Sequence, residues 1–180
     1  SSLILSKCLV VNKFRQNDLD NNGQGAPLTP IFHNVITKNL NESFNLNYPM
    51  NIINIGGITN VSQIISDNDL EKDIFAYDIG PGNCLIDEWI RKNSNKRYDK
   101  NGEIANSGKV DELILNQAIE NFEIISIKES LDVKNFDLSF VKGLSLENGC
   151  ATLTKFTAFL ISEGLKKINI IHNLSNQNYI

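Results

Sequence analysis

The apolar run Ile74-Phe75-Ala76-Tyr77 ends in an acid, Asp78, and passes at once into Ile79-Gly80-Pro81-Gly82-Asn83. An earlier apolar run, Ile52-Ile53-Asn54-Ile55, passes in the same way into Gly56-Gly57-Ile58-Thr59-Asn60. Short β-branched and aromatic runs bounded by Gly, Asn and Pro read as strands. A strand that opens into glycines brings bare backbone to the end of a sheet, where inward-pointing amides can hold phosphate without interference from side chains. Two such turns, one carrying a carboxylate, point to a phosphate-handling site in an α/β chain. Each also has a plainer reading. Gly56-Gly57 can be a hairpin turn and nothing more, and Asp78 can be a helix cap in an ordinary strand-to-helix loop.

The surrounding pattern predicts three strands in quick succession, over residues 51–55, 61–65 and 74–77, with residues 56–60 as a hairpin loop. After Gly82 the period changes to that of a helix. Leu85, Ile86, Trp89 and Ile90 form one stripe, and Asp87, Glu88, Arg91 and Lys92 lie opposite. This helix, starting near Asn83, aims its N-terminus toward the space in front of Asp78, where α/β sheets place ligands. Further helices are expected over residues 110–122 and 149–167, the latter with Leu153, Phe156, Leu160 and Leu165 inward, and a closing strand over 168–171. Nearer the N-terminus, residues 9–11 read as the end of a strand and 14–25 as a glycine-punctuated loop. Residues 27–40 read as a helix with Pro27 and Pro30 in its first turn and Ile31, Phe32, Val35, Ile36 and Leu40 on one face. The polar stretch 41–49 is the expected boundary between lobes. Meandering strands followed by alternating helix and strand indicate a mixed α/β sheet.

Composition narrows the partners. With 41% hydrophobic and 21% charged residues the chain has the make-up of a globular protein with a real core. Its net charge of −4 gives no electrostatic footprint for nucleic acid or an anionic membrane. No apolar stretch approaches the roughly 18 residues of a membrane span. Cys8, Cys84 and Cys150 are odd in number and far apart, which fits neither a disulfide framework nor a zinc site and predicts a reducing, cytoplasmic setting. The heavy use of Asn and Ile reads as biased genome composition.

Other signals weaken on inspection. Asp18-x-Asp20-x-Asn22-Gly23 copies the start of a calcium loop, but Thr29 stands where the closing Glu belongs, and Pro27 and Pro30 break the exit helix. His33 and His172 are far apart in sequence, so no metal cluster is expected; His33 reads as a packing or hydrogen-bonding residue and Trp89 as core. Arg15 is a candidate for bidentate recognition of a carboxylate, with a surface ion pair as the alternative. Asp87, one turn into the helix after Asp78, either steadies the site or caps exposed amides.

Several uncommon motifs then agree in order along the chain. They are Phe14-Arg15, Asp18, Gly23-Gln24-Gly25-Ala26-Pro27-Leu28 with Pro30 and Phe32-His33, and Asn54-Ile55-Gly56-Gly57-Ile58-Thr59-Asn60-Val61. Next come Tyr77-Asp78-Ile79-Gly80-Pro81-Gly82-Asn83 with Leu85, Asp87 and Trp89-Ile90, and Tyr98-Asp99, Gly102 and Ser107-Gly108. Ser130-Leu131-Asp132 and Gly143-Leu144-Ser145-Leu146 to Ala151-Thr152-Leu153-Thr154 complete the set. In these motifs the sequence resembles the bacterial anhydro-N-acetylmuramic acid kinases.

That resemblance implies the two-lobed fold of actin, hexokinase and the Hsp70 ATPase (ribonuclease H-like), with residues 1–47 as the remnant of the first lobe and 48–180 as much of the second. It implies ATP and Mg2+, a small amino sugar as substrate, a second copy of the chain as partner, and opening of a 1,6-anhydro ring with phosphorylation of O6 during cell-wall recycling. Asp78 falls on the proposed general base, Gly56 and Gly57 on the loop that approaches the nucleotide phosphates, and Gly80, Gly82, Asn83 and Arg15 on the sugar side. Asn60 and Asp87 take supporting places. No metal ligand is assigned in this chain.

The sequence also departs from the family. The Ser-Gly-Thr-Ser phosphate loop and its following Asp have no counterpart here, nor does the Gly-Gly-Gly adenosine turn. Lys13 stands where an acid is expected, and Ile127-Lys128-Glu129 replaces a proline-rich approach to Ser130. The expectation is therefore a partial chain carrying the substrate-and-base half of a kinase site and inactive alone. The alternatives are another sugar or carboxylate kinase of the same superfamily, or a degenerate, non-catalytic binding module.

Overall fold

The computed structural model describes residues 12–23, 25, 28–66, 68, 72–122, 131, 132, 134, 136–172 and 178–180. The strand expected over 9–11 lies outside these residues, as does Pro27.

The three central strands form as the alternation requires. β1 (Met50–Ile55), β2 (Ile58–Ile64) and β3 (Ile74–Pro81) make an antiparallel meander, and β4 (Asn178–Tyr179) adds to β1 in parallel, giving the order β3-β2-β1-β4. The hairpin between β1 and β2 is tighter than its five-residue expectation. Ile55 already pairs with Thr59, and Ile58 already pairs with Pro81 of β3.

Residues paired directly across antiparallel strands share a face. One face carries Val61, Tyr77 and Ile79, which pack with Ile168. The other carries Ser62, whose hydroxyl meets Nδ1 of His33 at 2.7 Å. The sheet is thus covered on both sides, by α6 (Leu146–Ile171) on the first face and α2 (Pro30–Phe44) on the second. His33 has the hydrogen-bonding role the sequence suggested.

α6 is where the sequence pattern misleads. Residues 168–171 were expected to close as a strand, yet they are the last turn of this 26-residue helix. Ile168 is fully buried while Ile170 and Ile171 are exposed, a helical and not an alternating pattern. Packing of Ile168 against Val61 and Ile79 outweighs the modest strand preference of four β-branched or small polar residues. At Gly164 the helix comes so close to β3 that a Cβ would lie 2.7 Å from Cβ of Ile79 and 2.8 Å from its carbonyl oxygen. α6 starts at Ser145, whose hydroxyl accepts the Asn148 amide.

Between β3 and α6 lie α3 (Cys84–Asn93), α4 (Glu103–Ser107) and α5 (Glu112–Asn121). Their apolar faces meet α6 in the main core, built on Leu85, Trp89, Ile90, Ile104, Leu115, Val141, Leu153, Phe156 and Leu160. Trp89 is buried and donates its indole N–H to the carbonyl of Leu146 at 3.0 Å, a core role as expected. Asp111 caps α5 by accepting the Ile114 amide. Asp87 in the first turn of α3 and Arg91 and Lys92 in the last suit the helix dipole.

Two N-terminal expectations are corrected. Residues 14–20, read as loop, form α1 (Phe14–Asp20). Its helicity is invisible in the apolar pattern because it buries nothing; Gln16 donates to Asp20 one turn on. α2 extends to Phe44, into the stretch read as a connection, and only Ile36 and Leu40 of its expected apolar face are half-buried. Asn34 and Thr37 are buried, whereas Ile31, Phe32 and Val35 are exposed. On this inward side His33 reaches Ser62 of β2, and the Thr37 hydroxyl is satisfied within the helix by the Asn34 carbonyl.

Candidate functional site

Asp78 does not end its strand, since β3 runs on to Pro81. What sets its position is a β-bulge. Thr59 pairs with Gly80 and Asn60 with Asp78, so Ile79 is an extra residue on β3. Bulges re-aim neighbouring side chains and gather beside active sites. Here Ile79 plugs into the core beneath α6 while Asp78 stands opposite Asn60 on the other face. The sequence singled out both residues; the structure makes them cross-strand neighbours.

The Asp78 carboxylate is partly buried. Burial pushes its pKa up from the ordinary carboxylate range, and the backbone N–H of Leu131, donating to Oδ2 at 2.9 Å, opposes that rise. A carboxylate poised this way holds a proton more strongly than a solvated one, the direction a general base near neutral pH requires. Leu131 enters the site through its backbone, so no side-chain signal could have identified it.

The two glycine turns are bonded to each other. Gly57's carbonyl accepts the amides of Gly82 at 2.9 Å and Cys84 at 3.3 Å, and Gly56's carbonyl accepts the amide of Asn83 at 2.8 Å. Thr59 adds its hydroxyl to the Pro81 carbonyl at 3.1 Å. The start of α3 was expected to offer its amides to a ligand. The amides of Gly82 and Asn83, which lead into it, and of Cys84, its first residue, are bonded to the β1–β2 hairpin, which braces the turn. A Cβ on Gly82 would stand 2.0 Å from the Gly56 carbonyl oxygen, so only glycine fits there. Gly80 packs its backbone beside Leu160 of α6.

Gly57 differs. It is exposed, has no left-handed φ, and a Cβ built on it would meet nothing within 4 Å. No contact with the described residues demands glycine there.

Asn83 is exposed at the head of α3, and its carbonyl accepts the Asp87 amide at 2.9 Å. Asn83 and Asp87 line a cavity of about 470 Å³ with Arg91, Arg97, Tyr98 and Thr154. Burial moves the Asp87 carboxyl up, with Arg91 at 4.0 Å pulling it back. Asp87 therefore caps no amide through its side chain in α3 but faces a cavity beside the turn. Arg15 lies apart on α1. Its Nε donates to the Gly25 carbonyl at 3.1 Å, and Asp18 accepts the Gly25 amide at 2.7 Å. The carboxylate that headed the calcium-loop resemblance is thus spent on closing a turn.

Among the described residues, no group of three or more His, Cys, Asp or Glu converges as a metal site, and no helix is long and apolar enough to cross a membrane.

Fold and site together define a mixed α/β chain with a small, largely antiparallel sheet, in which a bulged strand and a glycine-locked strand-to-helix turn present one partly buried carboxylate. A family model for anhydro-N-acetylmuramic acid kinase matches residues 4–174. The chain belongs to that family. An anhydro-N-acetylmuramic acid kinase from Pelagibacter ubique is 50% identical over 175 residues, covering 96% of this chain and 45% of the relative. Those from Zymomonas mobilis and Methylobacterium nodulans are 36% and 38% identical, covering 89% and 87% of this chain and 42% and 40% of the relatives. The chain thus spans less than half the length of these curated relatives.

Proposed function

We propose that the protein containing this sequence is an ATP-dependent kinase of 1,6-anhydro-N-acetylmuramic acid that opens the anhydro ring with water and phosphorylates O6, giving N-acetylmuramic acid 6-phosphate. The observation that carries the reading is a partly buried Asp78, fixed by a bulge and a locked glycine turn, in a chain of this family. In this reading Asp78 takes a proton from water as the water oxygen bonds to the anomeric carbon. The C1–O6 bond breaks, and the released O6 takes the γ-phosphoryl group of ATP as its bridge to the β-phosphate breaks, leaving ADP. Phosphoryl transfer asks mainly for positioning and charge stabilisation. A rigid turn around one acid supplies the first.

Gly57 is the point where the nucleotide phosphates come close, and Gly56 shapes that turn. Gly80 and Gly82 set the backbone that touches the sugar, with the Asn83 and Arg15 side chains as its polar contacts, Asn60 steadying Asp78 across the sheet, and Asp87 bordering the sugar side. Mg2+ is the expected ion with ATP; it takes one or two carboxylates with phosphate oxygens and waters. The described carboxylates do not converge into a set of three or more, so no step here is routed through the ion. We further place residues 1–47 in the end of the first lobe and 48–180 in the second lobe of an actin- and hexokinase-like kinase. The setting we propose is cytoplasmic recycling of peptidoglycan, with a second copy of the chain as partner.

The test is transfer of phosphate from ATP to 1,6-anhydro-N-acetylmuramic acid by the polypeptide of the whole reading frame containing this sequence, with the product identified by mass. Phosphorylation of an open sugar but not of the anhydro sugar would replace this reading with another sugar kinase.

A further inference from the structure

The backbone amide of Leu131 reaches Asp78 from a part of the chain 53 positions away, in the connection between α5 and α6. Two phenylalanines of that connection dock together and against α6. Phe122, just after α5, and Phe136 stack with ring centroids 6.2 Å apart and planes 8° from parallel, and Phe122 meets Phe156 of α6 edge-on at 5.7 Å. The amide donates to Oδ2 alone, and the remaining oxygen, Oδ1, has no hydrogen bond to the described residues.

We propose that the Leu131 N–H is a positioning group for Asp78: it holds Oδ2, fixes the carboxylate plane, and leaves Oδ1 as the oxygen that accepts the proton from water. This rests on the base assignment above. A backbone donor suits the task because it cannot titrate and cannot itself take the proton, whereas a Lys or Arg in its place would pull the carboxylate strongly toward the unreactive, weakly basic form. Titratable groups on the surrounding elements include His33 on α2, which is bonded to Ser62, Asp87 on α3, which faces Arg91, Glu163 on α6, which is paired with Lys166, and Asp132 beside Leu131. Tyr77, next to Asp78, points to the opposite face and meets His172.

The experiment has two arms, both on the polypeptide of the whole reading frame. In the first, the Leu131 amide is followed by ¹H–¹⁵N NMR across the acid range. Its shift should inflect with the ionisation of Asp78, and the inflection should vanish in Asp78→Asn. In the second, Leu131→Pro, which has no N–H, is compared with Leu131→Ala, which keeps it. The proline variant should lose turnover at neutral pH and carry the acid limb of its pH–rate profile upward by about one unit, the size set by losing one hydrogen bond to a charged group. The alanine variant, which keeps the N–H, should keep the acid limb at its wild-type position whatever its turnover. Should the proline variant not fold, the amide titration decides. No inflection at Leu131, or the same acid limb in both variants, overturns the proposal. Near-normal turnover by Asp78→Asn would sink the base assignment instead, and leaves the amide titration readable on its own.

Discussion

The carbonyl oxygen of Gly56 stands 2.0 Å from where a Cβ on Gly82 would be, so the turn after β1 and the turn after β3 close on each other without room for a methyl group. The amides of Gly82, Asn83 and Cys84 are bonded across this seam. The segment that carries Asp78 into α3 is therefore braced by the neighbouring hairpin.

Gly82→Ala should destabilise the fold. The methyl group would meet backbone, which cannot rotate away as a flexible side chain can, and overpacking of this kind costs roughly 1–3 kcal/mol. Chemical denaturation of wild type and variant should show a lower midpoint with little change in slope; an unchanged midpoint would mean that the seam opens at no cost.

Gly57→Ala should behave in the opposite way. The added methyl meets nothing within 4 Å, so the denaturation midpoint should stay within about 0.5 kcal/mol of wild type. If the nucleotide phosphates approach here, apparent ATP affinity should fall while stability holds. Equal loss in both properties would assign Gly57 to folding alone.

Asp78→Asn should lower turnover by about 100-fold or more, the usual contribution of a positioned general base. In the wild type, burial raises the Asp78 pKa, and the base must be ionised to act. Activity should therefore be present above that raised pKa and fall as pH drops through it, at a higher pH than a solvated Asp would give. A pH–rate profile of kcat/KM checks the position of this limb.

His33 and His172 are both held below the ordinary imidazole value by burial. The unfolded chain then binds more protons than the folded one just below pH 6.5, so stability rises with pH in that window and is lost as pH falls from 6.5 toward the lowered folded values. Thermal midpoints measured at pH 7.5 and 5.5 should differ by less in the double variant His33→Gln, His172→Gln than in the wild type. A wild-type midpoint that rises on acidification would reverse the sign and sink the argument.

The strands around the site were legible because alternation of Ile, Val and Tyr between Gly and Asn leaves little choice of pairing, and the helix after Gly82 because Leu85, Trp89 and Ile90 recur at helical spacing. The expected pair of glycine turns was equally plain. Their relation was not, since hydrogen bonds between carbonyls and amides leave no mark in residue identity. The same holds for Leu131, whose N–H any non-proline residue would supply.

Sequence by itself determined the local elements that depend on side-chain chemistry: the meander, the acid before Gly80-Pro81-Gly82, the amphipathic α3, and the family motifs. Only the tertiary structure decided which of several allowed arrangements prevails. Ile168 at the end of α6 is helical because Val61 and Ile79 receive it, α2 turns Asn34 and Thr37 inward with His33 bonded to Ser62, and Ile79 bulges so that Asp78 faces Asn60. In each case local preferences differ by less than about 1 kcal/mol per residue, and contacts between residues far apart in the chain outweigh them.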